Sequence, residues 1–297
     1  MISYIGGKAR IGKWIVPYIP KDIETYVEPF SGMFWVFFNM DLSKYPNLKT
    51  VVYNDYNKLN ANLFRCIIKD KNKLLEILKS FDGEGGEDSG DILYIQHRNK
   101  TLTPAPDRCR EFYDKCQKEV FDPNFEVGDE ANFDAASKYV VVLTQVFSGS
   151  KPETAKYTNY KGKYRSKVFI LIDKLQNPKF IEHFDKINFV HSMDFEVVMD
   201  KYDSPTTFFY IDPPYWKTEN YYSSHDFDSD DHERLCGMLH HIRGNFALSY
   251  YDYPKLSEWL PKDQFNWESK GFAKAASARG GVTQNIGTEL LIMDYLL

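Results

Sequence analysis

The nine residues FFYIDPPYW, 208–216, carry the densest chemical signal in this chain. Thr206 to Ile211 is β-branched and aromatic and reads as a strand. Asp212 therefore falls at a strand's carboxyl end, where open α/β sheets keep their active residues. Pro213 and Pro214 fix the backbone beyond the acid and leave nearby carbonyls without an internal donor. Tyr215 then sets a flat ring beside an acceptor-rich edge. A carboxylate, a carbonyl and an aromatic face suit a planar ring with an exocyclic amino group, because two acceptors meet two N–H bonds while the ring stacks. The plainer reading is a strand that ends in a Pro-rich turn with a solvated acid.

A second stretch, YIGGKARIGKW at 4–14, has Gly7, four residues, then Gly12 and Lys13, the spacing of a phosphate-binding loop. Such a loop needs Ser or Thr after the lysine to hold magnesium, and a buried strand ahead of it. Trp14 follows the lysine, and too few residues precede Gly7 for a paired central strand. Nucleotide hydrolysis is disfavoured, while glycines beside a lysine still suit close backbone approach to another ligand. Cys66, Cys109, Cys116 and Cys236 are scattered, with no C-x-x-C pair and no histidine at ligand spacing. The expectation is reduced thiols and no metal site.

The elements that must hold these residues alternate between strands and helices. ETYVEPFSGMFWVFFNM reads as a strand at Thr25 to Glu28, a turn at Pro29 to Gly32 and an apolar helix from Met33; KTVVYNDYNK is a second strand ending in Asp55. Strand, Gly-containing turn, helix and strand ending in an acid is the opening of a doubly wound domain that binds a nucleoside-bearing cofactor. From Leu59 to about Gly149 the apolar residues fall at helical spacing, interrupted by GEGGEDSG. The α/β pattern then resumes: KINFVHSMDFEVVMDKY is a strand and a helix that Asp194 starts, SDDHERLCGMLHHIRG a helix with Ser229 as its cap, and NFALSYY and TELLIMDYLL are strands.

The chain's 297 residues, 43% apolar and 16% aromatic, can bury a substantial core. No signal segment opens the chain and no apolar run approaches the ~18 residues that would span a bilayer, so an intracellular, soluble protein is expected. Net charge is −5, yet Lys151, Lys156, Lys161, Lys163, Arg165 and Lys167 face a single acid, Glu153, between 151 and 167. Local field governs attraction to a phosphate backbone, and aromatics interleaved with cations suit stacking plus phosphate contact. An ordinary solvated loop is the alternative for this run.

Asp-Pro-Pro-Tyr resembles the catalytic motif of the amino-directed, S-adenosylmethionine-dependent DNA methyltransferases, and the wider pattern resembles the Dam-like adenine methyltransferases of the D12 class. Tyr4, Gly6, Gly7 and Lys8 match that family's opening, and Glu28, Pro29, Phe30 and Gly32 match its Glu-Pro-Phe-x-Gly. SARGGVTQNIGTELLIMDY resembles its closing segment. The resemblance implies a Rossmann-like sheet, mostly parallel with an antiparallel last strand, carrying a helical insertion. The catalytic domain would be 1–57 with 168–297, and the target-recognition domain 58–167 with a basic hairpin near 148–167. It implies Asp212, Pro213, Pro214 and Tyr215 as catalytic residues. It implies Tyr4, Gly7, Lys8, Glu28, Phe30, Gly32, Asp55, Asp194 and Asp212 around S-adenosyl-L-methionine, with Asp55 at the ribose and Asp194 near the adenine. Lys151, Tyr157, Asn159, Tyr160, Lys161, Lys163 and Arg165 would meet double-stranded DNA. A monomer working in the cytoplasm of a bacterial or phage-infected cell is expected, with no membrane partner.

Two departures are visible. Close Dam relatives carry a second glycine two residues after the first, where this chain has Phe34, a side chain that fits if it turns into the core. TQVFSGSKP replaces their Asn-Arg and Tyr-Asn-Gly run, so the target GATC does not carry over. Methylation of the 4-amino group of cytosine and a catalytically silent DNA-binding relative are the competing readings. Asp as first motif residue and the motif order favour adenine.

Overall fold

The computed structural model describes residues 8–82, 106–145, 151–157, 168–216, 227–273 and 286–296. Seven strands form one sheet: β1 (Thr25–Glu28), β2 (Thr50–Asn54), β3 (Phe189–His191), β4 (Thr207–Ile211), β5 (Asn245–Tyr250), β6 (Asn266–Ala273) and β7 (Ile286–Met293). Their order is β3-β2-β1-β4-β5-β7-β6, with β1 to β5 parallel and β7 antiparallel to both β5 and β6. The order reverses direction at β1 and β4, which lie side by side in register Thr25↔Thr207 to Val27↔Phe209. A crevice opens beyond the carboxyl ends at such a switch point.

All five residues of β4 are buried, as befits a central strand covered on both faces. Phe209 and Ile211 belong to one core cluster with Phe195, Val198 and Met199 of helix α8 (Phe195–Tyr202) and Leu235, Cys236 and Leu239 of α9 (Ser229–Leu239). Phe208 points the other way, its ring stacked 6.0 Å from Tyr26, which in turn meets Phe37 of the short helix α2 (Trp35–Asn39). The helix α1 (Gly12–Ile15) backs onto α2 so closely that a Cβ on Gly12 would lie 2.9 Å from the Asn39 amide. Asp194 caps α8 as expected, accepting the Glu196 N–H at 2.9 Å. The cap of α9 is Asp228 rather than Ser229, in a reciprocal box with Asp231: a carboxylate one residue earlier serves two N–H groups where the hydroxyl serves none. The edge strand β6 was missed from sequence. Asn266, Glu268, Ser269 and Lys270 give it no apolar alternation, and pairing with the buried β7 along its whole length supplies what propensity does not.

The chain packs as two compact units, Lys58–Asp185 being one and Gly7–Asn57 with Lys186–Leu297 the other. The first is helical: α3 (Lys58–Asp82), α4 (Pro106–Val120), α5 (Phe133–Gln145), α6 (Phe169–Gln176) and most of α7 (Pro178–Lys186). It runs on to Asp185, whereas the sequence reading broke it at 167. α3 bends at Asp70, whose φ of −161° leaves the helix and whose carboxylate then accepts the Lys73 N–H at 2.9 Å, restarting it. A short α10 (Leu256–Trp259) follows β5 in the sheet unit.

Candidate active site

Asp212 follows the last residue of β4, and the antiparallel run of β7 brings that strand's opening residues to the same sheet edge. There a four-membered buried cluster forms. The Lys8 ammonium lies 3.1 Å from Asp212 Oδ1 and 2.7 Å from Glu289 Oε1, and also donates to the Tyr215 hydroxyl. That hydroxyl is 2.9 Å from Asp212 Oδ1 and within bonding distance of Glu289 Oε1. Tyr215 is buried, with the Lys8 ammonium 4.7 Å from its ring centre and Tyr251 edge-on at 4.3 Å. Trp216 stacks on Tyr253 at 4.5 Å.

Burial raises the Asp212 carboxyl from its usual 3.8 to about 6; the Lys8 ammonium opposes the shift and Glu289 adds to it. Burial alone would lower Lys8, but the Asp212 and Glu289 carboxylates more than reverse that and hold it above the ordinary lysine range. Asp212 Oδ1 takes both bonds, so Oδ2 has no protein partner among the described residues. The Pro213 carbonyl likewise has none among them. Two acceptors on consecutive residues just beyond a buried strand can receive a substrate N–H pair.

The other expected residues line the ends of β1, β2 and β3. Asp55 accepts Gly32 N–H on Oδ2 and Asn57 N–H on Oδ1, both at 2.8 Å. Gly32 has φ 50°, a conformation glycine adopts freely. Phe34 shares it, at φ 56°, with its ring fully buried between Phe37 and Tyr53. Asp194 is held at 2.9 Å on both oxygens by Arg234, whose guanidinium also lies 4.3 Å over the Phe195 ring. Partial burial works to raise Asp194; the bonds from Arg234 and the Glu196 N–H outweigh it, and the carboxyl sits below its usual range. Phe30 packs 5.4 Å from Phe195 and 5.7 Å from Phe227.

Glu28 differs from the others. It is buried, and its Oε1 accepts the Tyr26 hydroxyl at 2.6 Å and the Phe37 N–H at 3.1 Å, so its bonds tie β1 to α2. Tyr4 and Gly7 lie outside the described residues, as do Asn159, Tyr160, Lys161, Lys163 and Arg165. Lys151 is half-buried and its carbonyl accepts the Thr154 and Ala155 N–H groups, while Tyr157 is buried with its ring 5.5 Å from Tyr113.

Two residues that sequence reasoning passed over belong to this edge. Glu289 is one. Asn54 is the other: fully buried, it donates to the Pro29 and Met193 carbonyls at 2.8 and 3.0 Å and accepts the Met193 N–H at 2.9 Å, tying together the turns that carry Phe30, Asp55 and Asp194. Its position just before Asp55 at a strand end was the available signal.

The sequence has counterparts among known proteins. The model of the D12 class N6 adenine-specific DNA methyltransferases matches residues 4–272. The chain belongs to that family. The type II methyltransferase M.MjaIII of Methanocaldococcus jannaschii is 24% identical over 314 residues, covering 99% of this chain and 98% of that protein. The modification methylase StsI of Streptococcus sanguinis is 22% identical over 261 residues, 84% of this chain but 34% of that longer protein. The methyltransferase is thus an adenine-specific enzyme acting on DNA. Among its described residues no three His, Cys, Asp or Glu side chains converge in metal-binding geometry, and no helix is long and apolar enough to cross a membrane.

Proposed function

We propose that this chain transfers a methyl group from S-adenosylmethionine to N6 of an adenine turned out of double-stranded DNA, with Asp212 and the Pro213 carbonyl receiving the amino group. The observation that carries this reading is that Asp212 Oδ2 and the Pro213 oxygen, at the switch point of the sheet, have no partner among the described residues. The adenine amino nitrogen is a poor nucleophile because its lone pair is delocalised into the ring. Two acceptors on its protons return electron density to nitrogen, which is stabilisation needed most as positive charge develops.

The residues present fit the cofactor. Lys8, Asp212 and Glu289 carry one positive and two negative charges in a buried cluster, a surplus that favours a cation nearby. Asp55 and Asp194 offer carboxylates for hydroxyl and amino groups, and Phe30 and Phe195 offer aromatic faces. S-adenosylmethionine, when bound, supplies the electrophilic methyl on a sulfonium centre. Asp212 then takes the amino proton and releases it to water, a task suited to a carboxyl near 6. Turning a base out of duplex DNA costs about a few kcal/mol, and stacking on Tyr215 offsets part of it.

The helical unit with the 148–167 segment supplies target recognition in this reading, through Lys151, Lys161, Lys163 and Arg165 at phosphates and Tyr157, Asn159 and Tyr160 at bases. The relatives' names, a type II methyltransferase and a modification methylase, support a DNA-modification role. The test is digestion of DNA treated with enzyme and cofactor, followed by mass spectrometry of the nucleosides. N6-methyladenine is expected, and Asp212→Asn is expected to abolish it while DNA and cofactor binding persist. N4-methylcytosine, no product from cofactor-binding protein, or wild-type turnover by Asp212→Asn would each refute the reading.

A further inference from the structure

We propose that Glu289 is a positioning residue for methyl transfer: by sharing the Lys8 ammonium and the Tyr215 hydroxyl with Asp212, it leaves the cluster with a net negative charge beside the reacting amine. The proposal rests on the reading of Asp212 as the amino-group acceptor. Without Glu289, Lys8 and Asp212 would form a neutral buried pair, and a neutral pair stabilises a developing ammonium poorly.

Several observations assign the partners this way. Lys8 is nearer to Glu289, 2.7 Å, than to Asp212, 3.1 Å. The Tyr215 hydroxyl receives a bond from Lys8 and has one proton to give, and its shorter contact is to Glu289. Glu289 is sealed in the interior, its side chain 2% exposed, whereas that of Asp212 is 17% exposed. A buried carboxylate at this depth is costly without a partner, and Lys8 is that partner. The antiparallel direction of β7 explains how Glu289 arrives: a parallel strand in that place would present its final residues, not its opening ones, to the catalytic edge. The other titratable groups acting on the pair are the Tyr210 and Tyr251 phenols, held neutral by burial, and Glu28, which acts on Asp212.

Glu289→Gln keeps the shape and removes the charge, returning Lys8 to Asp212 alone. The plateau of kcat is expected to fall roughly tenfold to hundredfold. The acidic limb of the pH–rate profile is expected to move down by about one pH unit, because Asp212 loses a negative neighbour. Glu289→Asp, which keeps the charge, is expected to hold the limb at its wild-type position. Should Glu289→Gln fail to fold, Glu289→Met, of similar volume and without a polar group to satisfy, takes its place with the same expectation.

A charge-removing variant with wild-type plateau and limb overturns the proposal. So does one whose activity falls in step with its melting temperature while the limb stays in place, since that is what a purely structural glutamate would give. Asp212→Asn, measured alongside, separates the two claims. If it turns over normally, the acceptor reading itself has failed; if it is inactive while the Glu289 variants behave as wild type, only the role of Glu289 has failed.

Discussion

Phe34 is a bulky residue held at φ 56° and ψ 35°, so Phe34→Gly sets backbone strain against packing. Relief of the left-handed conformation contributes roughly 1–2 kcal/mol in favour of the variant. Against it stands a fully buried ring with Phe37 at 4.7 Å, Tyr53 at 5.3 Å, and Phe38 and Tyr26 at 6.0 and 6.2 Å. Truncating such a ring costs about 3–5 kcal/mol, and glycine's freedom in the unfolded chain adds roughly 0.5–1 kcal/mol. The net expectation is destabilisation by about 2–4 kcal/mol. Equilibrium urea unfolding, read by tryptophan fluorescence without cofactor, should show the midpoint lowered by about 1 M with the slope unchanged. The turn that Phe34 anchors also presents the Gly32 N–H to Asp55, so KM for the cofactor should rise severalfold. A variant as stable as wild type would show that strain, not packing, dominates at this position and would refute the reasoning.

The single-turnover rate on DNA should fall about tenfold between pH 7 and pH 5, since an Asp212 near 6 is mostly ionised at the first and mostly protonated at the second; a flat profile would exclude Asp212 as the acceptor. Because its folded value lies above 3.8, Asp212 binds its proton more tightly folded than unfolded, so its contribution to stability grows as pH falls from 6 towards 4. Unfolding at this site is therefore no explanation for the acid loss, and circular dichroism at pH 5 should show native protein. Asn54→Ala removes three side-chain bonds to buried backbone groups and should cost about 2–4 kcal/mol in urea, with a raised cofactor KM. Lys161→Ala and Lys163→Ala should each flatten the log–log salt dependence of DNA binding by about 1; an unchanged slope would remove them from the phosphate contacts.

What could be read from sequence follows from how local each determinant is. Asp194 was legible because its cap bond reaches only two residues to Glu196, and β4 because a run of β-branched and aromatic residues needs no partner to be recognised. The fate of Phe34 was legible as a condition, that the ring turn inward, because only tertiary neighbours decide it. Lys8 and Glu289 lie at opposite ends of the chain, and TELLIM by itself reads only as a strand, with nothing local to pair its glutamate with a lysine 281 positions earlier. β6 was invisible for the same reason: its partner strand, not its own composition, makes it a strand.

The three buried carboxylates at this sheet edge show why spacing alone could not sort them. Glu28 ends the parallel strand β1, Asp212 follows the last residue of the parallel β4, and Glu289 lies in the first half of the antiparallel β7. Burial pushes Glu28 well above its usual range, the bonds from the Tyr26 hydroxyl and the Phe37 N–H only partly opposing it; such a group is held towards its neutral form and serves as a strut. Glu289 is matched with Lys8. Asp212 alone combines partial exposure, an oxygen that no described residue bonds, and a carboxyl near 6. Placing reactive chemistry on one acid thus requires the other two to be occupied, one by hydrogen bonds and one by an ammonium. On this argument, releasing either neighbour should damage catalysis without touching the reacting groups.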